Sequence, residues 1–181
     1  MAPRELRLAE TSGAILRVNA SRIHVLAPVP IGILFKSART RGGTISGITI
    51  HDIDVRGVKT VFSVEFNWNP NYSYARIPAD VANPPAYRGV LAEPVPPEKG
   101  TPHLRNVSGL RARQSQQAFA VASYVNSPIE NVTFTNIDLE AGRGAGIRNA
   151  SSWKFENARI HTADGSGITV DESRDVTGLA R

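Results

Sequence analysis

The sequence predicts an all-β chain built as a parallel β-helix, a stack of short strand coils. Three observations carry this: a nine-residue motif that repeats, marker residues that recur about every 21 to 25 positions, and a composition of Val, Ile, Leu and Ala with plentiful Gly and Pro. Such a composition favours strands and turns over long helices.

The motif is clearest from Asn131 to Leu139 (NVTFTNIDL), and it lies over Gly47 to Val55 (GITIHDIDV) and Ser152 to Ile160 (SWKFENARI). Its first half alternates apolar and polar, as a strand with one buried face must. The phase then breaks at Asp52, Asn136 and Asn157. Asx side chains bond local backbone and tolerate the left-handed conformation, so these three positions are predicted to be equivalent corners. Weaker copies begin at Asn106 and Asp175, which puts Val107, Val132, Trp153 and Val176 on one period, one coil each. Second strands are expected at Ala118 to Val121 and at Gly146-Ile147, with Gly142, Gly144, Gly165 and Gly167 at turns.

Two segments depart from the repeat. Residues 1–30 show alternation only around Ile23 to Leu26 and are read as an irregular N-terminal cap or partial coil. The coils then occupy 31–181, interrupted at about 67–102 by a loop rich in Pro, Asn, Tyr and Ala. Pro84-Pro85 and the prolines from Pro94 to Pro97 have no place inside a sheet.

The net charge of +5 permits an anionic partner without naming one. The cations are scattered, and the densest group, Lys36, Arg39 and Arg41, sits beside an apolar strand, which argues against nucleic acid as the partner. With no Cys and four scattered His, neither a disulfide framework nor a zinc motif can be written, and no cofactor is expected. His24, His103 and His161 have no partner at a useful spacing, and His51 falls on an outward position. Charged residues in Met1 to Val18 leave no continuous apolar core for a signal peptide, and no stretch is long enough to span a membrane.

The segment Gly32-Ile33-Leu34-Phe35-Lys36-Ser37, followed by Arg41-Gly42-Gly43 and the strand Ile45 to Ile53, resembles glycoside hydrolase family 28, the polygalacturonases and related pectin hydrolases. The resemblance continues through Asn71 to Tyr74, Pro102 to Val107 and Ser127 to Val132, to about Ile160. It implies a right-handed, single-stranded parallel β-helix of the pectin-lyase-like kind, and a chain equivalent to the C-terminal part of such an enzyme. Family members are usually secreted or periplasmic.

The resemblance also implies a site. Lys36 matches the family lysine that binds a galacturonate carboxylate, a contact suited to charge-assisted hydrogen bonding. The family arginine two residues earlier is replaced by Leu34, which removes a bidentate fork. Trp68 is matched to an aromatic that stacks on a sugar ring, and Arg41 completes the substrate-binding set: Lys36, Trp68, Arg41. The family's inverting chemistry uses aspartates of an Asn-Thr-Asp motif and an Asp-Asp pair, with a Gly-His-Gly. None of these motifs is present, so no catalytic residue is assigned. The pairs Asp52 with Asp54 and Asp171 with Glu172 are read as a corner and exposed turns.

The expected function is that of a truncated, polygalacturonase-like protein of pectin breakdown that does not hydrolyse alone. The alternative is a non-catalytic module that binds acidic polysaccharide or serves as a structural β-helix. The expected partner is an acidic polysaccharide or oligosaccharide, with self-association through an open end of the stack as a second expectation.

Overall fold

Alternating segments turn at Asx and Gly residues, and each strand pairs in parallel with a strand of a neighbouring repeat. The structure, a computed structural model, describes residues 6–9, 14–37, 42–66, 77, 79–92, 103–108 and 111–179, of which 7, 9, 91, 92 and 104–108 are described in backbone only. Among the described residues every strand pair is parallel. A lone antiparallel bridge joins Tyr124 and Ser127.

The registers resolve into four ladders. The first joins β1 (Leu6–Ala9), β4 (Ile31–Lys36), β6 (Thr60–Glu65), the second half of β8 (Arg111–Ala122), the second half of β11 (Asp138–Arg148) and β14 (Ile168–Asp171). The second joins β2 (Ala14–Leu16), the start of β5 (Thr44–Arg56), β7 (His103–Ser108), β9 (Ile129–Glu130), the start of β12 (Ala150–Glu156) and β15 (Arg174–Thr177). The third holds the start of β3 (Asn19–Leu26), the middle of β5, the ends of β7 and β15, β10 (Thr133–Thr135) and the end of β12. The fourth holds the end of β3, the end of β5, the first residues of β8 and β11, and β13 (Arg159–Thr162).

Left-handed residues mark the borders. Between the third and fourth ladders stand Arg22, Asp52, Asn136 and Asn157, with φ from 50° to 56°. Asn157 Nδ2 donates to Asn136 Oδ1 at 2.6 Å, so the amides stack from one repeat to the next. The expected Asx corners are therefore present. Between the second and third ladders stand Arg17, Gly47, Asn131, Ser152 and Asp175, also left-handed. Gly47, Asn131, Ser152 and Asp175 open repeats recognised in sequence, whereas Arg17 lies in the segment read as an irregular cap.

The core lies between the ladders. Phe35, Phe62, Phe119 and Phe134 come from four different strands and meet Trp153 and Phe155 of β12 in one cluster. Phe134 stacks on Phe155 at 5.0 Å, and Trp153 is fully buried with Nε1 donating to Ile129 O at 2.9 Å.

Three segments differ from, or add to, the sequence reading. Gly142 and Gly144 lie inside β11 rather than at turns. A Cβ on Gly144 would stand 2.3 Å from Gly167 O, so this glycine serves close backbone approach. Within the proline-rich stretch, Ala86–Ala92 form a short helix, α1, behind Pro84 and Pro85, where a missing amide costs nothing. Residues 6–26 carry β1, β2 and β3, whose partners are β4 and β5.

Candidate functional site

Ile33 and Phe35 of β4 enter the core, so Leu34 and Lys36 belong to the opposite face of the first ladder. Both are nonetheless only 3% exposed. A lysine so covered is not an ordinary solvated strand residue, because a desolvated ammonium is tolerated only among acceptors or anions. Lys36 stands in register with Glu65, and the next residue, Ser37, donates its amide to Glu65 O at 3.1 Å. The Ser37 hydroxyl oxygen is buried with no hydrogen-bond partner among the described residues. Arg41 and Trp68, the other expected substrate-binding residues, lie outside the described residues.

The row of Lys36 continues in register through Glu65, Ala122, Arg148 and Asp171. Beside it run Leu34, Ser63, Ala120, Gly146 and Thr169. From Glu65 onward these rows floor an open groove of about 560 Å³, with Phe66 and Tyr124 also in its wall. Alanine and glycine make the floor shallow, and the charges stand at its two ends. Ser63 Oγ donates to Glu65 Oε1 at 3.2 Å, and Tyr124 OH donates to Phe66 O at 2.8 Å. Arg148 gives two hydrogen bonds, at 3.0 and 2.6 Å, to Glu172, which hold the Glu172 carboxyl below its ordinary value.

The groove does not carry the carboxylate pair of an inverting glycosidase. Glu65 and Asp171 lie three rungs apart, about 14 Å between Cα atoms at ~4.8 Å per rung. Inversion needs carboxyl groups about 6.5–9.5 Å apart, with a water between them. Asp54, read from sequence as part of an exposed turn, instead sits within β5 with a side chain 19% exposed, held by Arg56 at 2.9 Å and near His24 at 3.5 Å. Asp52 is the corner residue, bonded by His51 at 3.0 Å. Asp171 and Glu172 are exposed, as read.

A second groove, over the third and fourth ladders, gathers Arg22, Arg56, Arg111, Arg113, His24 and His51 around Asp52 and Asp54. Arg113 donates to Asp138 Oδ2 and, at 2.8 Å, to Asp138 O. Their bond raises the Arg113 pKa and holds the Asp138 carboxyl low. Two histidines judged partnerless in sequence do have partners. His24 faces Asp54, and His103 Nδ1 meets Ser127 Oγ at 3.1 Å across a separation of 24 residues. Ser127 is only 2% exposed and so closed to a substrate, which makes the pair a structural hydrogen bond rather than a nucleophile with its base. A sequence scan for neighbours misses such pairs because the repeat, not the local spacing, brings them together.

Comparison with protein-family models, with curated proteins and with solved structures found no match. Among the described residues, no group of three or more His, Cys, Asp or Glu is placed to hold a metal ion. No helix of the described residues is long and apolar enough to cross a membrane.

Proposed function

We propose that the chain is a right-handed parallel β-helix of the polygalacturonase-like kind that binds an acidic saccharide along the outer face of its first ladder without hydrolysing it. The observation that carries this reading is the open, shallow groove along the first ladder, next to whose Glu65 end Lys36 stands in register. A shallow trough of Ala122, Ala120 and Gly146 suits the flat faces of sugar rings, and a lysine at one end gives a uronate carboxylate its counter-charge. The four ladders, all parallel and bordered by repeated left-handed residues, support the coil reading.

The absence of hydrolysis is supported by the wide spacing of Glu65 and Asp171 and by the lack of the family's aspartate motifs in this sequence. Isothermal titration with oligogalacturonides at low salt is expected to give micromolar binding, weakened by added salt and weakened about tenfold or more in Lys36→Ala and in Trp68→Ala. Reducing-end assays on polygalacturonate and rhamnogalacturonan are expected to show no turnover. Release of reducing ends, abolished by Lys36→Ala, would restore an enzyme reading; unaltered binding in Lys36→Ala would remove the site.

A further inference from the structure

On the reading of the first groove as an acidic-saccharide site, we infer that Arg148 is the residue within it that reads a ligand carboxylate, and that Glu172 is a tethered competitor which the ligand displaces. Among the described residues, Arg148 is the one cation that lines the groove, whose other charged lining residues are Glu65 and Asp171. Lys36 stands one rung beyond the Glu65 end. A carboxylate lying over the Ala122 and Gly146 floor therefore has Arg148 as its counter-charge.

Glu172 is not part of the groove lining, yet it holds the groove's cation. Arg148 pairs in register with Asp171, so Glu172 is the next residue, at the corner between the first and second ladders with φ 47°. The equivalent corner one repeat earlier is Asn149, also left-handed and buried, its Nδ2 donating to Ser123 O at 2.8 Å. An Asn suits such a corner by bonding local backbone. A Glu has no such local reason, and its side chain instead reaches back one rung to Arg148. Its two oxygens accept from Nε at 3.0 Å and Nη2 at 2.6 Å, the forked geometry in which Arg recognises a carboxylate. The pair is thus an internal copy of the contact that a uronate would make. Arg148 is 57% and Glu172 48% exposed, and an ion pair so open to solvent contributes little to stability. Exchange is accordingly cheap: one carboxylate leaves for water as another takes the fork. Nη1 makes no hydrogen bond among the described residues, which gives an incoming carboxylate a first foothold before Glu172 departs.

The test titrates oligogalacturonides into the whole chain at low salt, beside the same oligomers with their carboxyls methyl-esterified, which keep the rings and lose the charge. Arg148→Ala is expected to weaken binding of the acid about tenfold or more and to leave the ester unchanged. Glu172→Gln, an exposed and nearly isosteric change, is expected to tighten the acid about two- to fivefold, again without effect on the ester. Unchanged or weaker acid binding in Glu172→Gln overturns the competition, and a lowered urea midpoint alongside it would show a pair that serves structure alone. Unchanged acid binding in Arg148→Ala, with loss in Lys36→Ala, overturns the inference and leaves the groove reading in place. Binding of neither oligomer by the wild-type chain overturns both.

Discussion

At the scale of single residues, the left-handed corners carry most of the local information. Asn136 at φ 56° adopts a conformation that costs an ordinary L-residue about 1–2 kcal/mol, and its Oδ1 also accepts from Asn157. Asn136→Ala is therefore expected to lower stability by roughly that amount, while Asn136→Gly, free of the Cβ penalty, is expected to lose less; urea unfolding of both variants decides it, and equal losses would contradict the corner explanation. The Arg113–Asp138 pair makes a pH-dependent statement. Asp138 has a pKa below its unfolded value because Arg113 hydrogen-bonds its carboxylate. Its contribution is thus present above the ordinary carboxylate range, near pH 4, and is lost as pH falls through the depressed native value. The side chain is 38% exposed and solvent-screened, so Asp138→Asn is expected to cost about 0.5–1 kcal/mol at pH 7. That difference is expected to vanish in acid, measured by unfolding wild type and variant from pH 7 downward.

At the scale of elements, β11 shows how closely successive repeats pack. It spans the fourth and first ladders in one run, with β8 on one side and β13 and β14 on the other. Gly144 permits this, since any side chain there would strike the backbone of Gly167 rather than a movable side-chain tip. Gly144→Ala is expected to destabilise by about 1–3 kcal/mol through forced displacement of neighbouring backbone, read as a lower urea midpoint with an unchanged slope. A neutral Gly144→Ala would mean that β11 and the segment before β14 are further apart than described. Gly178 is a parallel case, pressed against Phe155 O.

At the scale of the whole molecule, burial is uneven along the parallel ladders. Phe62, Phe119, Phe134 and Trp153 are buried by neighbours on both sides, while the inward residues of the outer strands, such as Ile15, Ile23, Ile168 and Val176, are only partly covered. Structures in which each repeat touches only its neighbours lose their ends first. Amide exchange is accordingly expected to be slowest in β6, β8 and β12 and fastest in β2, β14 and β15; uniform protection would argue for a single all-or-none unit. Phe134→Ala removes contacts to Phe62, Phe119, Trp153 and Phe155 together and is expected to cost about 3–5 kcal/mol.

Sequence alone determined the strand-forming segments, the period and the corner residues, because alternation and left-handed tolerance are properties of a residue and its near neighbours. Asp52, Asn136 and Asn157 were legible for that reason, as was the outward position of His51. The burial of Lys36, the partners of His24 and His103 and the role of Gly144 inside a strand were decided only by tertiary structure. Each depends on what lies one rung above or below, a residue about 20 to 60 positions away whose register is set by the stacking of repeats and by the insertion between β6 and β7.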